Sequence, residues 1–204
     1  MFRVNGFGGE GEHSSDSRVR LHTLVAIRWI AICGQVLSLL VVAVAFRLSS
    51  WVWLPLAVVA VLVVFNIALT VIGGRAISPA AAAGHLAFDL LQLAILLYLT
   101  GGLYNPFAFF LLAPVTVAAA TLSLRRTALL VVAAVAGLTA LGIWHLPLPR
   151  PDEPIHQPPL YRVGTWTALT LSTIFAALYT WRMAEEARRR AAALSATQFA
   201  LAHE

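Results

Sequence analysis

Gly101-Gly102-Leu103-Tyr104-Asn105-Pro106-Phe107 separates two long apolar runs, and how this stretch turns the chain decides how the rest is arranged. The run before it ends as a helix ends. Glycine has no Cβ and takes the left-handed cap that follows a last turn. The run after it carries its own start signal: Asn105 is a favoured N-cap, and Pro106 suits the first helical position, where its missing N–H costs nothing. The stretch is therefore expected to be a tight hairpin corner between two membrane helices. It places two aromatic rings, a side-chain amide and exposed backbone groups at the depth where lipid meets water.

The composition requires a membrane. Hydrophobic residues make up 60% of the 204 residues and charged ones 11%, with a mean hydropathy of +0.83, which excludes an ordinary soluble domain. Working outward from the corner, six apolar runs are expected at about 24–46, 51–72, 80–100, 106–122, 127–146 and 163–182. Each approaches the roughly 20 residues a helix needs to cross the hydrocarbon core. The joining segments are short, apart from a Pro-rich loop over 147–162, so neighbouring helices must run antiparallel. The predicted fold is all-α, a six-transmembrane-helix bundle over 23–183, preceded by a flexible Gly- and Ser-rich segment over 1–22 and followed by a signalling helix over 184–204.

All 14 basic residues are arginine. They form no patch interleaved with aromatic residues, so the net charge of +5 is not a nucleic-acid footprint. They set orientation instead. Arg3, Arg18, Arg20, Arg28, Arg75, Arg125, Arg126, Arg182, Arg188, Arg189 and Arg190 fall on one side of the expected bundle, against Arg47, Arg150 and Arg162 on the other. The positive-inside rule then puts both termini in the cytoplasm and the corner on the opposite face of a bacterial inner membrane. Trp51, Trp53, Trp144 and Trp166 fall near run ends, as interfacial anchors do.

From Glu185 onward the helix becomes charged, and Ala187, Ala191, Leu194, Gln198 and Leu201 recur at alternating spacings of four and three. That is a heptad seam, suited to pairing with a second copy. No Gly, Asn or Pro ends the helix before Glu204, so further sequence is expected downstream.

A second polar set lies deeper. His85, Asp89 and Gln92 share one face of the third run, and a mid-bilayer charge costs about 3 kcal/mol or more unless partnered. Asp89 should be protonated, or paired with His85, Gln35, Asn66 or Arg28. The three residues are either a polar relay or interhelical hydrogen-bond glue, and Asp89→Asn is expected to be tolerated or stabilising. The single Cys33 reads as a small buried residue and His145 and His156 as solvated. No spacing suggests a metal site.

Arg28-Trp29-Ile30-Ala31-Ile32-Cys33-Gly34-Gln35, the GGLYNPF corner and the arginine- and alanine-rich exit helix resemble the sensor region of the RegB/PrrB family of redox-sensing histidine kinases. The resemblance spans about Leu21 to Glu204. It implies ubiquinone as the sensed ligand, held at Gly101, Gly102, Asn105, Pro106 and Phe107, with Leu103 and Tyr104 in variable places. It also implies a homodimer, a downstream kinase core that binds ATP, and a response regulator as partner. Cys33, inside a span, does not match the family's cytoplasmic redox cysteine. His203-Glu204 resembles the heart of a phosphoacceptor box but falls where the family has its linker.

Physical chemistry makes the same case independently. A quinone needs a site that opens to the bilayer and offers donors near its surface. Asn105 could donate its amide, Gly101 and Gly102 admit a flat ring, and Tyr104, Phe107, Phe109 and Phe110 could stack on it. The first N–H groups of the helix at Pro106 would favour the electron-rich oxygen of the reduced ligand. A capped turn with interfacial aromatics explains the corner equally well from the residues alone; the resemblance favours the site. The alternatives are a transporter or channel fragment, in which the corner is only a turn, and a membrane enzyme. The lone intramembrane acid and the lack of an internal repeat oppose the transporter. The sequence offers no nucleophile with a base for an enzyme, and no catalytic site is expected in this chain.

Overall fold

A computed structural model describes residues 19–46, 52–72, 76–147 and 158–201. The expectations placed on Arg3, Arg18, Arg47, Trp51, Arg75, Arg150, His156, His203 and Glu204 lie outside the described residues. Six α-helices follow one another: α1 (Leu21–Phe46), α2 (Trp53–Ile72), α3 (Pro79–Leu99), α4 (Leu112–Thr121), α5 (Leu124–Ile143) and α6 (Pro159–Leu201). Two-residue strands, β1 (Val19–Arg20) and β2 (Ala76–Ile77), pair antiparallel and tie the start of α1 to the start of α3.

Four of the helices are long and apolar enough to cross a membrane: α1 over Thr23–Val44, α2 over Trp53–Val71, α3 and α5. The other two depart from the expected runs for local reasons. The fourth run begins as a 3-10 helix over Pro106–Leu111 and only then becomes α4, giving an apolar stretch over Pro106–Thr121. The sixth run is interrupted by Thr165, Thr167, Thr170, Ser172 and Thr173, which lower its hydropathy. It continues without a break into the charged exit, so α6 is a single helix of 43 residues. The fifth helix starts three residues earlier than its run, at Leu124, and takes Arg125 and Arg126 into its first turn.

The helices are placed by close contact of small residues, as expected where lipid removes the usual hydrophobic drive between helices. Ala108, Ala119, Ala134 and Ala177 are all but inaccessible in the largest core cluster, alongside Leu97, Leu103, Leu111 and Leu138. α4 lies against both α5 and α6. Trp166 Nε1 donates to Thr139 Oγ1 at 3.1 Å, pinning α6 to α5. Thr173, fully buried, returns its hydroxyl to the Leu169 carbonyl at 2.7 Å, so a polar side chain sits in the interface without an unmet bond.

Candidate functional site

The corner is built as its residues dictate, but it is more closed than a surface turn. Ser78 and Pro79 start α3 with a side-chain cap on Ala81 N. The helix ends at Thr100, and Gly101 and Gly102 both take positive φ, 103° and 58°, the left-handed region that favours glycine. Gly102 is required twice over: a Cβ there would lie 2.6 Å from His145 Cγ. His145 is thus half-buried against the corner and meets Tyr104 edge-on at 5.3 Å, rather than standing solvated. Tyr104 in turn stacks on Tyr161 of α6 at 6.4 Å. Leu146 N donates to Tyr98 O at 2.8 Å, closing the same end of the bundle. The corner therefore joins α3, α4, α5 and α6.

Two expectations about its chemistry are corrected. Gly101, Gly102 and Leu103 are buried, and two of the turn's N–H groups are bonded: Tyr104 N to Gly101 O at 3.1 Å and Asn105 N to Gly102 O at 3.2 Å. The first two N–H groups of the helix start are bonded as well. Asn105 Oδ1 accepts from Phe107 N at 2.8 Å, and Ala108 N donates to Asn105 O at 3.0 Å. The Asn105 amide donates to Thr100 Oγ1 at 2.7 Å and Thr100 O at 3.2 Å. Both of its hydrogens are thus committed, and Asn105 acts as a double cap that stitches the end of α3 to the start of the next helix. What the corner presents outward is aromatic. Phe107 stacks on Phe110 at 5.8 Å, and Phe109 tilts against Phe110 at 4.5 Å.

Phe110 leads to the second part of the site. Below it, a cavity of about 410 Å³ lies between α1, α3 and α4, walled by residues such as Leu24, Leu86, Leu93, Pro114 and Val117. Its polar lining is Arg28, Gln35, Asp89 and Gln92. Asp89 finds its partner in Arg28: Nη2 donates to Oδ2 at 2.9 Å, and Nε faces Oδ1 at 2.8 Å. Phe65 lies under the guanidinium at 5.1 Å, a cation–π contact. Gln92 pairs with Gln35 through reciprocal amide bonds of 3.0 and 3.3 Å. His85 contributes its carbonyl, 3.4 Å from Arg28 Nη2, and its ring leans on Phe65 at 5.5 Å.

The members of the expected polar set are thus not bonded to one another. Asp89 and Gln92 each reach across to α1, seven residues apart at Arg28 and Gln35. Asn66 turns elsewhere, donating to Val25 O at 3.4 Å. Cys33 is exposed on the outer face of α1, contrary to the expectation of burial. Among the described residues no group of His, Cys, Asp or Glu is arranged to hold a metal. The sequence signal for the cavity was present in the i, i+7 spacing of Arg28 and Gln35, but the void itself depends on packing that no local pattern encodes.

At the other end of α4, Arg188 of α6 donates through Nη1 to Ala120 O at 3.2 Å, while Nε and Nη2 hold Glu185. Arg189 also binds Glu185 and Arg190 binds Glu186. The Arg189 and Arg188 hydrogen bonds hold the Glu185 carboxyl below its ordinary value of 4.5.

The fold and this site define a polytopic helical membrane protein whose last helix runs out of its apolar bundle as a charged rod. Its sequence is 36% identical over 203 residues to the sensor histidine kinase RegB of Cereibacter sphaeroides, and 38% identical over the same length to RegB from a designated strain of that species. In both, the match takes in 97% of this chain and 44% of the relative. The resemblance to the RegB family is thereby shown over nearly the whole chain, which spans less than half the length of these relatives. No family profile and no solved structure matches the chain.

Proposed function

We propose that this chain is the membrane-embedded sensing region of a sensor histidine kinase and that it senses ubiquinone beside the Gly101–Phe107 corner. The observation that carries the reading is the position of Phe110. It belongs to the aromatic cluster of the corner and also walls the cavity between α1, α3 and α4. A planar ring entering from lipid would meet Phe107, Phe109 and Phe110 first. Gly101, Gly102, Tyr104, Asn105 and Pro106 serve by holding that aromatic face in place. The residues fit an isoprenoid quinone: about 410 Å³ lies in the range of small-molecule sites, and its lining is apolar with a few convergent polar groups. When bound, the quinone would supply the redox state that is sensed; this chain's residues supply shape, stacking and hydrogen bonds.

All six helices are proposed to cross the bacterial inner membrane, with both chain ends on the cytoplasmic side. The 3-10 segment supports this. Six residues at about 2.0 Å and ten at about 1.5 Å give roughly 27 Å, close to the thickness of the hydrocarbon. Arg125, Arg126, Arg182 and Arg188 gather at the end where α4 gives way to α5 and α6 leaves the bundle. Ala187, Ala191, Leu194 and Gln198 are exposed along α6, a seam we assign to a homodimer. The kinase core, its ATP and the response regulator belong to the whole protein.

The test is copurification. The chain purified in lipid nanodiscs should carry ubiquinone in stoichiometric amount, released by a soluble headgroup analogue. Quinone no higher than in protein-free discs would overturn the reading. For orientation, a periplasm-active reporter joined after Pro158 should be active and one joined after Arg126 silent; the reverse pattern would refute the six crossings.

A further inference from the structure

Arg28 is the anomaly of the cavity. Its side chain is 3% exposed, and a guanidinium cannot shed its proton to ease burial. Nη2 is spent on Asp89 Oδ2 and the His85 carbonyl, while Nε lies 2.8 Å from Asp89 Oδ1 as an ion-pair contact without forming a hydrogen bond. Nη1 has no hydrogen-bond partner among the described residues, although Arg28 lines the cavity. A buried donor without an acceptor is an unusual and unfavourable arrangement. Nearby, the Gln35–Gln92 pair uses one N–H of each amide and leaves each a second.

Charge decides what can satisfy Nη1. Arg28 and Asp89 neutralise each other, so a carboxylate or phosphate drawn to the guanidinium would be brought up against the Asp89 carboxylate. A cation would face Arg28. What remains is an uncharged acceptor, a water or a neutral ligand group; the mainly apolar lining, which includes Phe110 and Leu93, and the volume of about 410 Å³ favour an acceptor carried on an apolar body. We propose that this cavity receives the carbonyl end of a quinone-class ligand, which accepts a hydrogen bond from Arg28 Nη1. The assignment rests on the reading above that the ligand is a quinone. It places the donor in the cavity, which accords with the commitment of the Asn105 amide to Thr100. A phospholipid ester offers the same carbonyl chemistry, so the test separates the two sources.

The probe is decylubiquinone with ¹³C-labelled carbonyls, added to the chain in nanodiscs of diester phospholipid and, separately, of diether phospholipid, which has no ester carbonyl. Binding is measured at equilibrium and the labelled carbonyl stretch by infrared difference spectroscopy. One variant, Gly34→Leu, fills the cavity without touching the ion pair: a Cβ at Gly34 meets Phe110 Cζ at an ordinary 3.9 Å. The other, Arg28→Leu with Asp89→Leu, removes donor and acceptor together and leaves no buried charge behind. The double variant should weaken binding about ten- to a hundredfold, the worth of a hydrogen bond from a charged donor, and Gly34→Leu should weaken it by occupying the ligand's space. The downshifted carbonyl band of the wild type should move to its free position in the double variant.

If the wild type binds and both variants bind as tightly with the same band, the cavity assignment falls and the quinone reading survives. If the wild type binds in neither lipid, both fall. Binding to the wild type in diether discs alone would show an ester carbonyl competing for Nη1, which supports the donor and names its competitor. Should Gly34→Leu fail to fold, the double variant and its infrared band decide.

Discussion

Removing Asp89 tests the central ion pair most directly. In Asp89→Leu the Arg28 guanidinium keeps its charge but loses both carboxylate contacts, at 2.8 and 2.9 Å. It retains only the His85 carbonyl at 3.4 Å and the Phe65 face at 5.1 Å. Breaking a buried pair from one side in this way destabilises by about 3–5 kcal/mol, because the surviving charge is left uncompensated. Asp89→Asn keeps one acceptor oxygen and the shape of the side chain, so its loss is smaller; it is still a loss, since the cation is no longer balanced. That reverses the sign expected from the sequence, where Asn at position 89 was read as neutral or stabilising. Replacing both partners, Arg28→Leu with Asp89→Leu, removes the buried charge altogether and should come close to the parent. The assay is reversible unfolding in bicelles for the parent, the two single Leu variants and the double. The singles should each be strongly destabilised and the double far less than their sum, a coupling of several kcal/mol. If the double variant loses the sum of the two singles, the residues are not energetically paired and the polar lining of the cavity has been misread.

At the corner, Gly102→Ala should destabilise by more than the roughly 1–2 kcal/mol of a left-handed alanine, because its Cβ also meets His145; His145→Ala in the same chain should recover only the steric part, read by thermal unfolding. Asn105→Ala loses a cap and the bonds to Thr100 together and should cost about 1–2 kcal/mol, whereas Asn105→Asp keeps the acceptor for Phe107 N and should cost less. Glu185 has a depressed pKa in the folded helix, so the stability it contributes is fully present above its ordinary value of 4.5 and is lost as pH falls through the lower folded value; circular dichroism should show exit-helix content falling in that acid window, a component that Glu185→Gln abolishes. Arg188→Ala frees the Ala120 carbonyl, so spin labels at Ser123 and Leu194 should report a broader distance distribution, and an unchanged distribution would show that this contact does not fix the exit helix.

The sequence was most legible where the physics is local. Two glycines, an asparagine and a proline, in that order, specify a left-handed stop and a capped start, and the structure has both. The apolar runs place the helices to within about three residues at most ends, and the heptad spacing past Glu185 falls on an unbroken α6. What could not be read was whatever depends on a distant partner. His145 looked solvated because nothing near it in sequence reveals that a bare Gly102, 43 positions earlier, leaves room for its ring. Asp89 had several eligible partners, and the choice of Arg28 depends on how α1 and α3 face one another across a void. The 3-10 winding after Pro106 was also hidden. Its residues read equally well as α-helix, and the tighter coil reflects the Asn105 caps and the packing of Ala108 and Leu111 into the main core.

α4 is the element that unites these observations. Its 3-10 lead-in begins at the corner and carries Phe110; its own first turns, through Ala113, Pro114 and Val117, wall the cavity; its end offers the Ala120 carbonyl to Arg188. Short and lying against α5 and α6, it is also started by a winding that seldom persists for so many residues. The two windings differ by about 0.5 Å in rise per residue, so converting six residues from one to the other changes the length of the segment by about 3 Å. A displacement of that size is enough to break or re-form a hydrogen bond of 3.2 Å at Ala120. A ligand held against Phe110 would lie beside a segment whose far end is fastened to the exit helix, so a change in the winding of Pro106–Leu111 is expected to be read at the Ala120–Arg188 contact.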